Sequence, residues 1–280
     1  AEYTGAKYAV ACVNGTSALQ VSLRLVGVLP GDEVIIPSLT FIAPVNAIAY
    51  IGADPLFMDS DKYYNIDVEK TILFIENETI IQDGLTYNKA TNNRISAIVP
   101  VHVWGNAAWL DELVSLCKKR NIAIVEDASE SLGTFYTTGI YKGMHTGTIG
   151  EIGCLSFNGN KIITTGGGGM ILTDEKKLAD KAKYLTTQAK DDPIRYIHDE
   201  IGYNFRLTNI QSALGVAQLE KLSTYLYQKE KNHLFYKEHI NNIDGLKLVP
   251  VPKYADNNNW LNIIQIDRKI YGMNRDSLMD

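Results

Sequence analysis

Five short apolar runs, "YAVACV", "DEVIIPS", "DPLFMD", "ISAIVPV" and "IAIVED", are separated by segments whose apolar residues recur at helical spacing. Among those segments are "TSALQVSLRLVG", "APVNAIAYIG" and "AAWLDELVSLCKKR". A strand, a crossover helix and a second strand place the two strands parallel, with helices covering the faces of the sheet. The alternation therefore predicts an α/β chain with a mainly parallel sheet between helices. Ligands of such open sheets gather at the carboxyl ends of the strands, which here carry Asn14, Pro37, His102 and Asp127.

From about residue 133 to 173 the pieces become shorter and rich in Gly and Thr, and "CLSFNG" and "GMILTD" predict two strands joined by a loop that holds Lys161. A helix over "DEKKLADKAKYLTTQA" follows, then one long helix over "TNIQSALGVAQLEKLSTYLYQKEKNHLFYKEHINN". Past Gly245, "LKLVPV" and "NWLNIIQID" predict the first strands of a smaller unit. We expect a large domain over 1–225, then a linking helix and the start of a small C-terminal α/β domain over 226–280. That domain reads as truncated, and a fragment is expected, because the chain opens on Ala rather than Met and stops at "NRDSLMD" as a helix begins.

At 45% hydrophobic and 21% charged residues the chain has globular composition. Its net charge of -5, with basic residues dispersed, argues against a nucleic-acid surface, and the densest cluster, "CKKR", suits a helix end. Cys12, Cys117 and Cys154 are far apart and in no metal-ligand spacing, so reduced thiols, a cytoplasmic location and no metal site are expected. No apolar run is long enough to span a bilayer, and no signal peptide opens the chain.

Three places could carry chemistry. "NGTSALQ", between a strand and a helix, offers unpaired N–H groups, a glycine and two hydroxyls, the makings of an anion site; Ser17 and Gln20 equally fit a capping box. Asp127 closes an apolar strand, where a buried carboxylate needs a cationic or donor partner; it could also cap the next turn or hold magnesium, although no GxxxxGK[ST] is present. Lys161 lies in a loop between two strands, whereas Lys176 and Lys177 sit at a polar helix start and are solvated; by position alone it is either a solvated charge too or, if the site is water-poor, a nucleophile. A phosphate cradle, an acid and a sequestered lysine are the parts that pyridoxal 5'-phosphate chemistry requires.

With "NGTSAL", "PSLTFIAPVNAI", "VPVHVWG", "EDASESLG", "LSFNGNKIITTGGGGM" and "GYNFRLTNIQSALGVAQL" in that order over nearly the whole length, the chain resembles the DegT/DnrJ/EryC1/StrS sugar aminotransferases. These are enzymes of the aspartate aminotransferase-like fold type I. The resemblance implies that Lys161 is the Schiff-base lysine, Asp127 the partner of the pyridine nitrogen and Phe41 the aromatic stacked on the ring. It further implies that Thr16 and Ser17 hold the phosphate through backbone N–H groups, with Ser156 adding its hydroxyl. Asn204 would reach the phosphate from a neighbouring subunit, which implies a homodimer with composite sites.

Read alone, Phe41 could be core, Asn204 a left-handed turn residue, His102 a satisfied core histidine and the glycines at 166–169 a tight turn. The chain also departs from the family pattern: Gly167 stands where an acid is common, Asn158 where His or Tyr is frequent, and Glu130 adds a carboxylate beside the cofactor that must be protonated or paired. The variant is similar to the branch that aminates UDP- or GDP-linked 4-keto-6-deoxy-N-acetylhexosamines on the way to legionaminic acid and bacillosamine-type sugars. The implied reaction takes glutamate as donor and a nucleotide-linked 4-keto sugar as acceptor. The rivals are a PLP-dependent sugar dehydratase, against which Lys161 counts, an inactive sugar-nucleotide sensor, and a plain nucleotide-binding module.

Overall fold

Each of the five expected apolar runs is a strand. In the computed structural model, which describes residues 1–192 and 194–279, the chain begins β1 (Tyr8–Cys12), α1 (Gly15–Leu25), β2 (Glu33–Pro37), α2 (Ile42–Tyr50) and β3 (Asp54–Met58). There follow α3 (Val68–Asn77), β4 (Thr79–Gln82), β5 (Leu85–Asn88), β6 (Ile95–Ile98), α4 (Asp111–Arg120) and β7 (Ala123–Asp127). Next come β8 (Phe135–Tyr136), β9 (Ile152–Ser156), β10 (Gly169–Thr173), α5 (Lys176–Thr186), α6 (Asn209–Leu219) and α7 (Leu222–Ile240). The chain closes with β11 (Leu246–Leu248), β12 (Ala255–Asp256), β13 (Ile264–Ile266), α8 (Arg268–Tyr271) and α9 (Arg275–Met279).

Seven strands make one sheet in the order β1-β10-β9-β7-β6-β2-β3. From β9 to β3 every pairing is parallel, whereas β10 is antiparallel to both β9 and β1. The reversal follows from the connection, since a loop without a crossover helix can only bring its strand back antiparallel. Lys161 rides on that loop, beside the carboxyl ends of β9 and β7. Along β2 the side chains alternate between faces: Val34 and Ile36 join Leu19 and Leu23 of α1, while Ile35 joins Ile75, Leu113 and Cys117 on the other side. Two covered faces explain why these strands read as continuous apolar runs.

Three sequence expectations need correction. The single long helix is two, because the path breaks at Glu220 and Lys221 to bury Leu222 against Phe157 and Ile163. The cap of α1 is Asn14, whose Oδ1 accepts from the Ser17 N–H at 2.7 Å, so Ser17 and Gln20 form no capping box. Within "NWLNIIQID" only Ile264–Ile266 is a strand, paired antiparallel with β11, and Trp260 is instead buried with its indole N–H on the Asn160 carbonyl. Among the described residues no helix is long and apolar enough to cross a membrane.

Two buried histidines fasten the loops around the carboxyl end of β7. His102 is a satisfied core residue: its Nδ1 accepts from the Ala108 N–H, so Nε2 carries the proton and donates to Glu126 at 2.9 Å. Glu126 also accepts from the N–H groups of Gly147, Ile149 and Gly150. Burial alone would lift its carboxyl, but His102 and these N–H groups outweigh burial and hold it below the ordinary glutamate value. His145 accepts from the Gly133 N–H through Nε2 and donates through Nδ1 to the Thr146 carbonyl. Burial, opposed by that carbonyl, lowers its pKa to about 4.

In the unfolded chain an imidazole takes its proton near pH 6.5, whereas His145 in the fold does so only near 4. Between these values the unfolded state binds more protons, so the contribution is complete above pH 6.5 and is lost as pH falls towards 4. We predict that urea unfolding shows a stability loss on the order of 2 kcal/mol between pH 7 and 5, and that His145→Gln flattens this decline.

Candidate active site

The β–α alternation brings the ends of β1, β6, β7 and β9 to one cavity of about 520 Å³, lined by Asn14, Gly15, Thr16, Phe41, Asp127, Glu130, Ser156 and Lys161 among others. At its floor is the start of α1. Asn14 Oδ1 engages the Ser17 N–H, and Ala18 N–H begins the helical ladder on the Asn14 carbonyl. The N–H groups of Gly15 and Thr16 find no acceptor among the described residues. Two orphan donors at a helix N-terminus form an anion site. The glycine is required there, because a Cβ at position 15 would stand 2.9 Å from Ser156 Cβ and 3.2 Å from Ser129 Oγ. Ser156 thus faces the same cradle, whereas Ser17 is buried behind it with its N–H already committed.

Asp127 ends β7 with its side chain buried in the cavity wall. Its Oδ1 accepts from the Ser129 N–H at 3.0 Å, as the turn-capping alternative requires, and Oδ2 is left with no donor among the described residues. One oxygen fixes the carboxylate, and the other is free to meet a cationic or N–H partner inside the cavity. In the same wall Thr40 Oγ1 is buried without a hydrogen-bond partner.

Lys161 points into the cavity, with only 9% of its side chain exposed. Its Nζ lies 3.4 Å from Glu130 Oε1, 5.0 Å from the centroid of the Phe41 ring and 4.3 Å from that of Trp260. Glu130 Oε2 accepts from the Trp104 N–H at 2.7 Å. Burial raises the Glu130 carboxyl above the usual range, Lys161 and the Trp104 N–H pull it back, and Asp127 pushes it up again. The extra carboxylate that the sequence introduces is therefore paired in the fold. Phe41 is not core: it is 55% exposed, with its ring lining the cavity.

Asn204 does not join these residues. It is exposed, pairs through its backbone with Thr187 and is outside the left-handed region. Among the four glycines only Gly166 has positive φ, at +77°. A Cβ on Gly168 would meet Thr165 Oγ1 at 2.3 Å and one on Gly169 the Asn14 carbonyl oxygen at 2.4 Å, while Gly167 has room for a side chain. Sequence reasoning missed Trp104, Asn258 and Trp260. The three asparagines that break the apolar period just before Trp260 were the available signal.

A model of the DegT/DnrJ/EryC1/StrS aminotransferase family matches residues 1–280. GDP-perosamine synthase of Caulobacter vibrioides is 39% identical over 241 residues, covering 86% of this chain and 59% of the relative. UDP-N-acetyl-3-dehydro-alpha-D-glucosamine 3-aminotransferase of Acidithiobacillus ferrooxidans is 33% identical over 251 residues, covering 89% of this chain and 62% of that protein. The crystal structure of a DegT DnrJ EryC1 StrS aminotransferase from Brucella abortus superposes with a TM-score of 0.85 at 29% identity, over 99% of this chain and 69% of the other. The chain thus spans roughly three-fifths of the length of these curated relatives.

The cradle predicts a sharp outcome for Gly15→Ala. Alanine favours the helix, yet its methyl would displace Ser156 and Ser129 beside the cradle. We expect pyridoxal 5'-phosphate to bind about tenfold more weakly, about 1.4 kcal/mol, in equilibrium dialysis, with a lowered melting temperature, because the methyl presses on Ser156 Cβ.

Proposed function

The chain belongs to the DegT/DnrJ/EryC1/StrS aminotransferase family, and from that premise we propose that it is the pyridoxal 5'-phosphate-dependent portion of an enzyme that moves an amino group from glutamate to the 4-keto group of a nucleotide-linked 6-deoxy sugar. The observation that carries this reading is the convergence of Lys161, Asp127 and the Gly15–Thr16 cradle on one cavity.

The residues fit the cofactor. The orphan N–H groups of Gly15 and Thr16, with Ser156 Oγ, would hold its phosphate. Asp127 Oδ2 would pair with its ring nitrogen, Phe41 would cover one ring face, and Lys161 would hold its aldehyde carbon. When bound, the cofactor supplies a carbon that carries the amino group between substrates and a ring that withdraws electrons from it. The chain's own contribution is placement and proton management. Lys161 Nζ, as a free amine, would take a proton from the amino-bearing carbon of the donor and return one on the acceptor side. Glu130 faces that amine at 3.4 Å. Asp127, through the oxygen that has no donor of its own, would favour the protonated form of the ring nitrogen.

Two relatives carry names with GDP-linked and UDP-linked sugars, which supports a nucleotide-sugar acceptor. The carbon aminated, and the placement among 4-keto-6-deoxy-N-acetylhexosamine enzymes, rest on the sequence resemblance. We further propose a homodimer in which the partner's copy of Asn204 completes the phosphate site. In a single chain α6 buries no residue, and it exposes Ile210, Leu214, Val216 and Leu219. We also propose a cytoplasmic location, in which the three free, buried cysteines would remain reduced.

The full-length protein should take up pyridoxal 5'-phosphate and, after borohydride treatment, carry its mass on the peptide containing Lys161; Lys161→Ala should carry none. In single turnovers, glutamate followed by a panel of GDP- and UDP-linked 3-keto and 4-keto sugars should yield an amine only from 4-keto members. Amination of a 3-keto sugar would reassign the acceptor, and absence of cofactor uptake would overturn the function.

A further inference from the structure

Of the three groups that meet the Lys161 amine, Glu130 and Phe41 come from the first half of the chain, and Trp260 comes from beyond α7. We propose that Trp260 is a positioning residue for Lys161, an inference that rests on the reading of Lys161 as the working amine. Two contacts carry it. The indole face lies 4.3 Å from Nζ, and the indole N–H donates to the carbonyl of Asn160, the residue before the lysine, at 2.7 Å. The ring restrains the head of the lysine, while the N–H ties down the backbone from which it grows.

Trp260 is itself held. Its backbone N–H donates to Asn258 Oδ1 at 3.0 Å, and its backbone carbonyl accepts from Lys229 Nζ of α7 at 2.9 Å. Asn258 is almost wholly buried. Its Nδ2 donates to the carbonyls of Glu130 and Leu132, and its backbone N–H donates to Thr134 Oγ1. The notch that receives it exists because residue 105 is glycine: φ there is +91°, and a Cβ would lie 2.0 Å from Asn258 Oδ1. The segment 258–260 is thus a strap that holds both members of the ion pair, through Trp260 on the lysine side and Asn258 on the glutamate side. An aromatic serving only as core filler would need neither the donor nor the approach to Nζ.

The test compares Trp260→Phe, which keeps a ring face and loses the N–H, with Trp260→Leu, which loses both. In the intact protein without added cofactor, hydrogen–deuterium exchange of the 157–165 peptides should quicken by about tenfold in both variants. Acetylation of Lys161 by acetic anhydride, referenced to exposed Lys177, should rise about fivefold in Trp260→Leu only. With pyridoxal 5'-phosphate added, its visible circular dichroism should shrink in Trp260→Leu and be largely kept in Trp260→Phe. Exchange that rises no more at 157–165 than in peptides of β2 and β6, or unchanged Lys161 acetylation in Trp260→Leu, overturns the proposal. Should Trp260→Leu not fold, the exchange of Trp260→Phe decides alone. Because the exchange and acetylation arms need no cofactor, a protein that binds none defeats the proposed function without deciding this inference.

Discussion

A lysine ammonium withdrawn from water must be matched by an opposite charge, since removal of one partner from a buried pair leaves an uncompensated ion worth several kcal/mol. Lys161 and Glu130 satisfy that demand for each other, and the surrounding chain is shaped to keep them so. Glu130 takes its second bond from the Trp104 N–H, and that backbone sits at φ 56°, a conformation most side chains avoid. The next residue, Gly105, continues the turn with positive φ and leaves the notch for Asn258. Four separate stretches of chain, 102–105, 128–134, 157–165 and 258–260, are therefore organised around one ion pair.

The end of β7 shows how neighbouring carboxylates acquire different tasks. Adjacent residues of a strand face opposite sides of the sheet, so Glu126 and Asp127 meet different surroundings. Glu126 is saturated by His102 and three backbone N–H groups and is committed to structure. Asp127 spends one oxygen on the Ser129 N–H and keeps the other towards the cavity. The sequence "ED" looks symmetrical, and burial with different donors divides it.

The parts of the site that could be read from the sequence are those written in local pattern. The strand runs, the loop bearing Lys161, the cradle at the start of α1 and the strand-end Asp127 follow from periodicity and from residues a few positions apart. The β4–β5 hairpin also had a local sign, since Asp83 and Gly84 both take positive φ as a tight turn demands. Trp260 had only the three asparagines before it as a sign, and they do not say what its indole meets, a carbonyl 100 residues away that no local period encodes. The break between α6 and α7 was hidden for a related reason: helical spacing continues through Glu220 and Lys221, and the burial of Leu222 decides the turn.

The same long-range logic joins the lysine loop to the exposed helix beside it. Gln211 of α6 donates to the carbonyl of Gly167 at 2.8 Å, and Gly215, on the same helix, is glycine where a Cβ would lie 2.9 Å from Thr165 Cγ2. The Thr164 N–H is bound by Gln218. Three successive turns of α6 thus grip residues 164–167, three to six positions after Lys161. A helix that buries nothing of its own is nevertheless bonded to the loop that carries the amine. Placement of the lysine is consequently a property of the strap on one side and of α6 on the other, with the parallel sheet supplying only the platform between them.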